Sequence, residues 1–268
     1  MMRASVVLEN GRVSYREQGQ GEVIVLLHGF CCSSESWEKV IPLLSSRYRV
    51  LAPDLRGHGQ SAFPGGKVCS MDEMAEDLRQ LLDSLEIEKV SLFGHSMGGY
   101  VSLAFADKYA HRLRHLALIH STGLADTEQG KESRLDSIKT IEEQGLDVFL
   151  EGFVSKFFAP GNPEAVEVLK QRALSIGKQT SPLAAAGCLR GMRERPDRNS
   201  VLSGVKLPVL LLAGDQDRII PKERTFSVAA DHIQQAEIQG CGHSSMVEAA
   251  DELTGVMIDF LSAGAPEQ

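Results

Sequence analysis

Alternating apolar and polar positions open the chain, with Val6 and Leu8, then Val13 and Tyr15, on either side of Asn10-Gly11. That pair suits a two-residue type I′ turn, in which both central positions take positive φ, so the segment predicts a β-hairpin. The run "EVIVLLHGF" (22–30) breaks the alternation. It is continuously apolar, short and ends in His-Gly, which predicts a strand buried on both faces, as in a parallel sheet. Trp37, Val40, Ile41 and Leu44 then recur at helical spacing, and "YRVLAPDLRGHG" (48–59) supplies a second buried strand ending in a turn-rich loop. Ser70 and Glu73 form an S-x-x-E capping box. Behind it Met74, Leu78, Leu81, Leu82 and Leu85 make one apolar stripe, predicting a helix of about four turns.

The alternation continues through the strand "KVSLFG" (89–94), a helix from about Met97 with Val101, Ala104 and Phe105 inward, and the strand "LRHLALIHS" (113–121). Residues 122–200 read differently. They contain no buried strand, and their charged segments carry apolar residues at helical spacing, among them Leu146, Phe149, Leu150, Phe153, Phe157 and Phe158. Strand-type sequence returns at "LPVLLLAG" (207–214) and more weakly at "AEIQG" (236–240), before a closing helix from Val247 to Leu261. The predicted organisation is one α/β domain, a mostly parallel central sheet flanked by helices, built from residues 1–121 and 201–268. A helical insertion, 122–200, interrupts it.

Composition narrows the partners. The chain has 268 residues, 43% hydrophobic and 24% charged, with a formal net charge of −8. An acidic balance argues against a surface that neutralises phosphates, so nucleic acid and anionic membrane are poor partners, and a small neutral or apolar ligand fits better. The N-terminal apolar run, Val6 to Leu8, is too short for a signal-peptide core, and no run reaches membrane-spanning length, which predicts a cytoplasmic protein. Cys31, Cys32, Cys69, Cys188 and Cys241 are odd in number and lack C-x-x-C spacing, so they are read as reduced thiols. No metal site is expected, because the histidines are neither paired at helical spacing nor joined by clustered cysteines.

The chemistry concentrates in "VSLFGHSMGGY" (90–100). A strand running into a helix through Gly94-His95-Ser96-Met97-Gly98 matches G-x-S-x-G, in which a serine occupies a tight turn at the strand's C-terminal edge. The helix N-terminus turns unpaired N–H groups toward the reacting centre and favours negative charge there. A serine nucleophile needs a histidine base and a carboxylate to hold it. After Ser96, loops at strand ends offer Asp215 and Asp217 in "DQDRIIP" and His243 in "CGHSSM". His28, His58, His95 and His120, in turns or at a strand end, are read as structural.

With these elements in order, the chain resembles the α/β-hydrolase superfamily, specifically its capped serine esterase, enol-lactone hydrolase and non-haem haloperoxidase-like branch. The resemblance covers nearly everything outside 122–200 and identifies that insertion with the family's cap, or lid. The family's G-x-x-D-x-x-x-P pattern fits Gly214, Asp217 and Pro221, which favours Asp217 over Asp215 as the acid. His28-Gly29 resembles the oxyanion loop, which assigns the oxyanion to the backbone N–H groups of Phe30 and Met97. "DLRGHGQS" (54–61) matches a structural turn of the family. The resemblance implies a catalytic set of Ser96, Asp217 and His243, no cofactor, and hydrolysis of a small to medium, largely apolar ester or lactone through an acyl-enzyme. Phe153, Phe157, Phe158 and Met192 of the insertion are candidate pocket residues. Thioesterase, carbon–carbon bond hydrolase and perhydrolase chemistry use the same residues, and a slow-turnover ligand receptor would retain them, so these alternatives stay open.

Overall fold

The computed structural model describes residues 1–161 and 163–263. Its first two strands, β1 (Met2–Leu8) and β2 (Gly11–Gln18), pair antiparallel from Met2↔Glu17 to Leu8↔Gly11. The hairpin is as predicted, but its tip is Glu9-Asn10, and neither has positive φ; that conformation falls on Gly11, at 120°. The type I′ expectation is therefore corrected. Glycine takes the one backbone state in the turn that a Cβ would resist.

The βα alternation then runs through β3 (Val23–Leu27), a 3₁₀ turn at Ser34–Trp37, α1 (Val40–Leu44), β4 (Arg49–Pro53), α2 (Met71–Ser84), β5 (Val90–His95), α3 (Met97–Tyr109) and β6 (Leu113–Ile119). Five helices follow: α4 (Glu128–Gln144), α5 (Leu146–Val154), α6 (Pro163–Gly177), α7 (Pro182–Arg193) and α8 (Asn199–Gly204). The chain closes with β7 (Val209–Gly214), α9 (Lys222–Thr225), β8 (Ile233–Ile238), α10 (Ser245–Glu248) and α11 (Ala250–Ala263). Two helices predicted as continuous are divided, one between Trp37 and Val40 and the other at Ala249, which leaves the helical region at φ −139°.

One sheet holds all eight strands in the order β1-β2-β4-β3-β5-β6-β7-β8. β2 meets both β1 and β4 antiparallel, and every other pairing is parallel. Alternate residues of the central strands explain their unbroken apolar sequence. Val25, Leu27, Leu92, Leu118 and Leu211 face the layer with α2 and α3, while Ile24, Leu26, Phe93, Ile119 and Leu212 face the layer with α1 and α11. Each such side chain, removed from water, contributes about 1.5–3 kcal/mol. The capping box starts α2: Glu73 N–H donates to Ser70 Oγ at 3.1 Å, and Ser70 N–H donates to Glu73 Oε2 at 2.8 Å.

Parallel pairing places the C-terminal ends of β3, β5, β6, β7 and β8 along one edge, where α/β sheets carry their ligand sites. Above that edge α4 packs on α5 and α7, and α5 on α6. α8, which straddles the expected boundary at residue 200, packs instead on α3. All five cysteines are buried and free. No helix among the described residues is long and apolar enough to cross a membrane.

Candidate active site

Ser96 joins β5 to α3 at φ 50° and ψ −116°, a conformation that residues with a Cβ rarely adopt. Two glycines permit it. A Cβ on Gly98 would stand 2.6 Å from Leu27 O, and one on Gly94 would stand 2.4 Å from Gly98 O, so the turn is pressed against β3 and closed on itself. Ser96 N–H donates to Ile119 O at 3.0 Å, and Ser121 Oγ–H donates to Ser96 O at 2.8 Å. The backbone of the turn is thereby fixed while the side chain faces a cavity.

The loop after β8 carries His243, which is buried. Its Nδ1–H donates to Asp217 Oδ2 at 2.7 Å, so that in the neutral ring it is Nε2 that lacks a proton, the tautomer a general base requires. Its backbone is held from two sides: His243 N–H donates to Phe157 O at 2.6 Å, and His95 Nε2–H donates to His243 O at 2.8 Å. The residue beside the serine thus positions the histidine loop. No hydrogen bond joins Ser96 Oγ to His243 among the described residues, a geometry that substrate commonly tightens.

Asp217 follows β7. Its Oδ1 accepts from Ile219 N–H and Ile220 N–H at 2.8 and 2.9 Å, which aims Oδ2 at His243. Burial opposes ionisation, but the charge of His243 and hydrogen bonds from His120 and His243 outweigh it and hold the carboxyl well below the usual carboxylate range. Asp215 points elsewhere: it accepts from Cys241 N–H at 3.1 Å and braces the histidine loop.

His120 is the residue sequence reasoning missed. It lies just past β6 at φ 48°, fully buried, and its Nδ1–H donates to Asp217 Oδ2 at 3.1 Å while its Nε2 accepts from Ser245 Oγ–H at 2.9 Å. The signal available was its place at a strand end on the sheet's reactive edge. His120, Asp217 and His243 have ligating atoms within 4.8 Å of one another, the spacing of a metal site. Both imidazoles, however, direct an N–H at the one carboxylate oxygen, and hydrogen bonding among the three accounts for the cluster.

The loop after β3 abuts the turn, since a Cβ on Gly29 would stand 3.3 Å from Ser96 Cβ. Phe30 N–H donates to no backbone carbonyl among the described residues, and Met97, as the first residue of α3, has no helical acceptor for its own. His28 supports this loop: its Nδ1–H donates to Gly29 O at 2.7 Å, and its Nε2 accepts from Leu55 N–H at 2.8 Å. His28, His58 and His95 are all buried, and burial lowers the pKa of each, taking His58 down to about 3 with help from the charge of His28.

A cavity of about 400 Å³ opens over Ser96. Phe153 and Met192 line it, and so does Phe149. Phe157 and Phe158 do not. They are only 4% and 2% exposed, pack with Cys32 and Val154, and border a separate recess behind the histidine loop. Helical spacing marks a side chain as inward without saying which interior it enters, and here the chain leaves α5 before Phe157. Five cationic side chains share the cavity wall with Phe149, Phe153 and Met192.

The alpha/beta hydrolase fold family matches residues 22–250, and the chain belongs to that family. Its fold is similar to that of a thermophilic esterase from Thermogutta terrifontis (malate bound), at TM-score 0.89 and 30% identity, over 99% of this chain and 100% of that one. The 2-hydroxy-6-oxo-2,4-heptadienoate hydrolase of Pseudomonas putida is 28% identical over 96% of both chains. The dihydrolipoyllysine-residue acetyltransferase component of the acetoin cleaving system, also of Pseudomonas putida, is 30% identical over 90% of this chain, which spans 64% of that protein's length.

Proposed function

We propose that the protein is a serine hydrolase that cleaves a carboxylic ester or lactone of a small molecule, using only its own side chains and water. The observation that carries this reading is the Asp217–His243 hydrogen bond at 2.7 Å beside a serine held on a left-handed strand-to-helix turn. In the proposed reaction Ser96 Oγ attacks the acyl carbon while His243 Nε2 takes its proton. The carbonyl oxygen gains negative charge, which the Phe30 and Met97 N–H groups stabilise. The C–O bond of the tetrahedral intermediate breaks, and His243 returns the proton to the leaving alcohol. Water, deprotonated by the same ring, then releases the acid and restores Ser96. Residues 122–200 serve as the cap that encloses the substrate, with Phe153 and Met192 among its contacts. The family membership and the esterase of similar fold support the reaction class.

A panel of activated esters, thioesters and lactones, run beside Ser96→Ala and with a fluorophosphonate label, tests the reading. Labelling confined to Ser96 and multiple turnovers on esters are expected. Undiminished labelling of a folded Ser96→Ala protein would exclude Ser96 as the nucleophile, and a single turnover would favour a ligand receptor. The similarity to 2-hydroxy-6-oxo-2,4-heptadienoate hydrolase supports a second reading, carbon–carbon bond hydrolysis, which cleavage of a vinylogous 1,5-diketone faster than any ester would establish.

A further inference from the structure

The cavity over Ser96 has a charge opposite to that of the chain. The formal net charge is −8, yet Arg134, Lys156, Arg195, Arg218 and Arg224 all line this cavity, with Asp126 the one carboxylate among its lining residues. They come from five separate places: α4, the turn after α5, the turn after α7, the loop after β7, and α9. Sequence proximity therefore does not explain their convergence.

Asp126 is engaged by two of the five. Arg134 donates to it through Nε, and Arg195 through Nη1 at 2.7 Å; Arg195 also lies 3.9 Å over the Tyr100 ring. The remaining three have no carboxylate partner among the described residues. Arg218 donates to Phe158 O and Arg224 to Ala125 O, each at 3.0 Å, so both are oriented by carbonyls that leave their charge uncompensated. A guanidinium has five N–H donors, and those beyond the carbonyl contact match the fork of an oxyanion. Phe149, Phe153 and Met192 give the same cavity an apolar surface.

We infer that the substrate carries, besides the bond Ser96 attacks, a second and ionised acid group, so that its class is an acid-bearing ester or lactone such as the half-ester of a dicarboxylic acid. This inference rests on the hydrolase reading of Ser96. The apolar wall takes the carbon chain, and Arg224, with Arg218 and Lys156 nearer the mouth, takes the anion. Uncompensated positive charge there also raises the local concentration of anionic substrate, an effect that salt screens.

The test pairs the activated monoester of adipic acid with its methyl-capped, neutral counterpart. A kcat/KM at least tenfold higher for the free acid, falling as salt is added, is expected. Arg224→Gln and Lys156→Gln should each erode that ratio mainly through KM, and Arg224→Lys should restore part of it. Lys156 is exposed and pairs with no carboxylate among the described residues, so its variant keeps the test open if Arg224→Gln fails to fold. Equal or better use of the neutral ester would overturn the inference while leaving the hydrolase reading intact. If neither ester turns over, the hydrolase reading fails, and calorimetry of adipate and inorganic phosphate with the unmodified protein decides the anion site alone. Binding of either anion that weakens in Arg224→Gln supports the site and names its acid group; binding of neither overturns it.

Discussion

His120 and His243 donate to the same oxygen of Asp217, at 3.1 and 2.7 Å. A carboxylate oxygen with two donors is fixed more firmly than one with a single donor, and the second donor is itself held by Ser245. His120 is thus a positioning residue for the acid of the proposed triad.

Replacing His120 by Gln should lower kcat by about 10- to 100-fold, the scale of a lost hydrogen bond to a charged group, with KM little changed. Asp217→Asn should cost on the order of 10⁴ in kcat, as when a triad acid is neutralised, and Asp215→Asn far less. Kinetics on one ester for all three variants checks the ranking; a larger loss at Asp215 would reassign the acid.

The turn at Ser96 predicts an exchange of stability for activity. A non-glycine residue at φ 50° and ψ −116° carries strain of about 1–3 kcal/mol. Ser96→Gly should abolish ester turnover and raise the urea midpoint, whereas Ser96→Ala should abolish turnover and leave the fold in place. A Ser96→Gly protein less stable than Ser96→Ala would show that the turn is unstrained.

The three phenylalanines should separate by measurement. Phe157→Ala and Phe158→Ala remove fully buried rings, and each should lower stability by about 3–5 kcal/mol. Phe153→Ala opens the cavity wall and should shift the preference among acyl groups with a smaller fall in thermal midpoint. Acyl selectivity and melting temperature recorded together distinguish the two cases.

Acid should weaken the fold before its carboxylates titrate. Burial lowers the pKa of His28, His58, His95 and His120, with His58 at about 3. Below about 6.5 the unfolded chain takes up protons that the fold refuses, so stability is full above that pH and falls as pH drops. Each such histidine adds a slope of about 1.4 kcal/mol per pH unit until its own folded-state pKa is reached. Urea titrations between pH 7 and 4.5 should show this loss, and His58→Asn should reduce the slope by one proton. A flat profile would mean these rings are protonated in the native state.

Much of this architecture is legible in local sequence. The capping box, the doubly buried strands and the glycines around Ser96 depend on residues within a few positions of each other, so short-range pattern captures them. G-x-x-D-x-x-x-P points to the aspartate that meets His243. The tip of the first hairpin was misread because Asn-Gly favours a turn type without fixing which residues occupy its centre. His120 could not be ranked above other histidines, because its partner lies 97 positions away. The cationic wall was hidden for the same reason: Arg134 and Arg224 become neighbours of one cavity only after the sheet has brought β6 and β7 side by side.

The contacts between residues 157–159 and the histidine loop have a mechanical consequence. His243 N–H is tethered to Phe157 O, Ala159 N–H to the Glu248 carboxylate, and that carboxylate also takes the N–H groups of Gly242 and Ser244. The segment 157–159 is latched in this way to the loop that bears His243. Lifting it here would drag the imidazole out of register with Asp217.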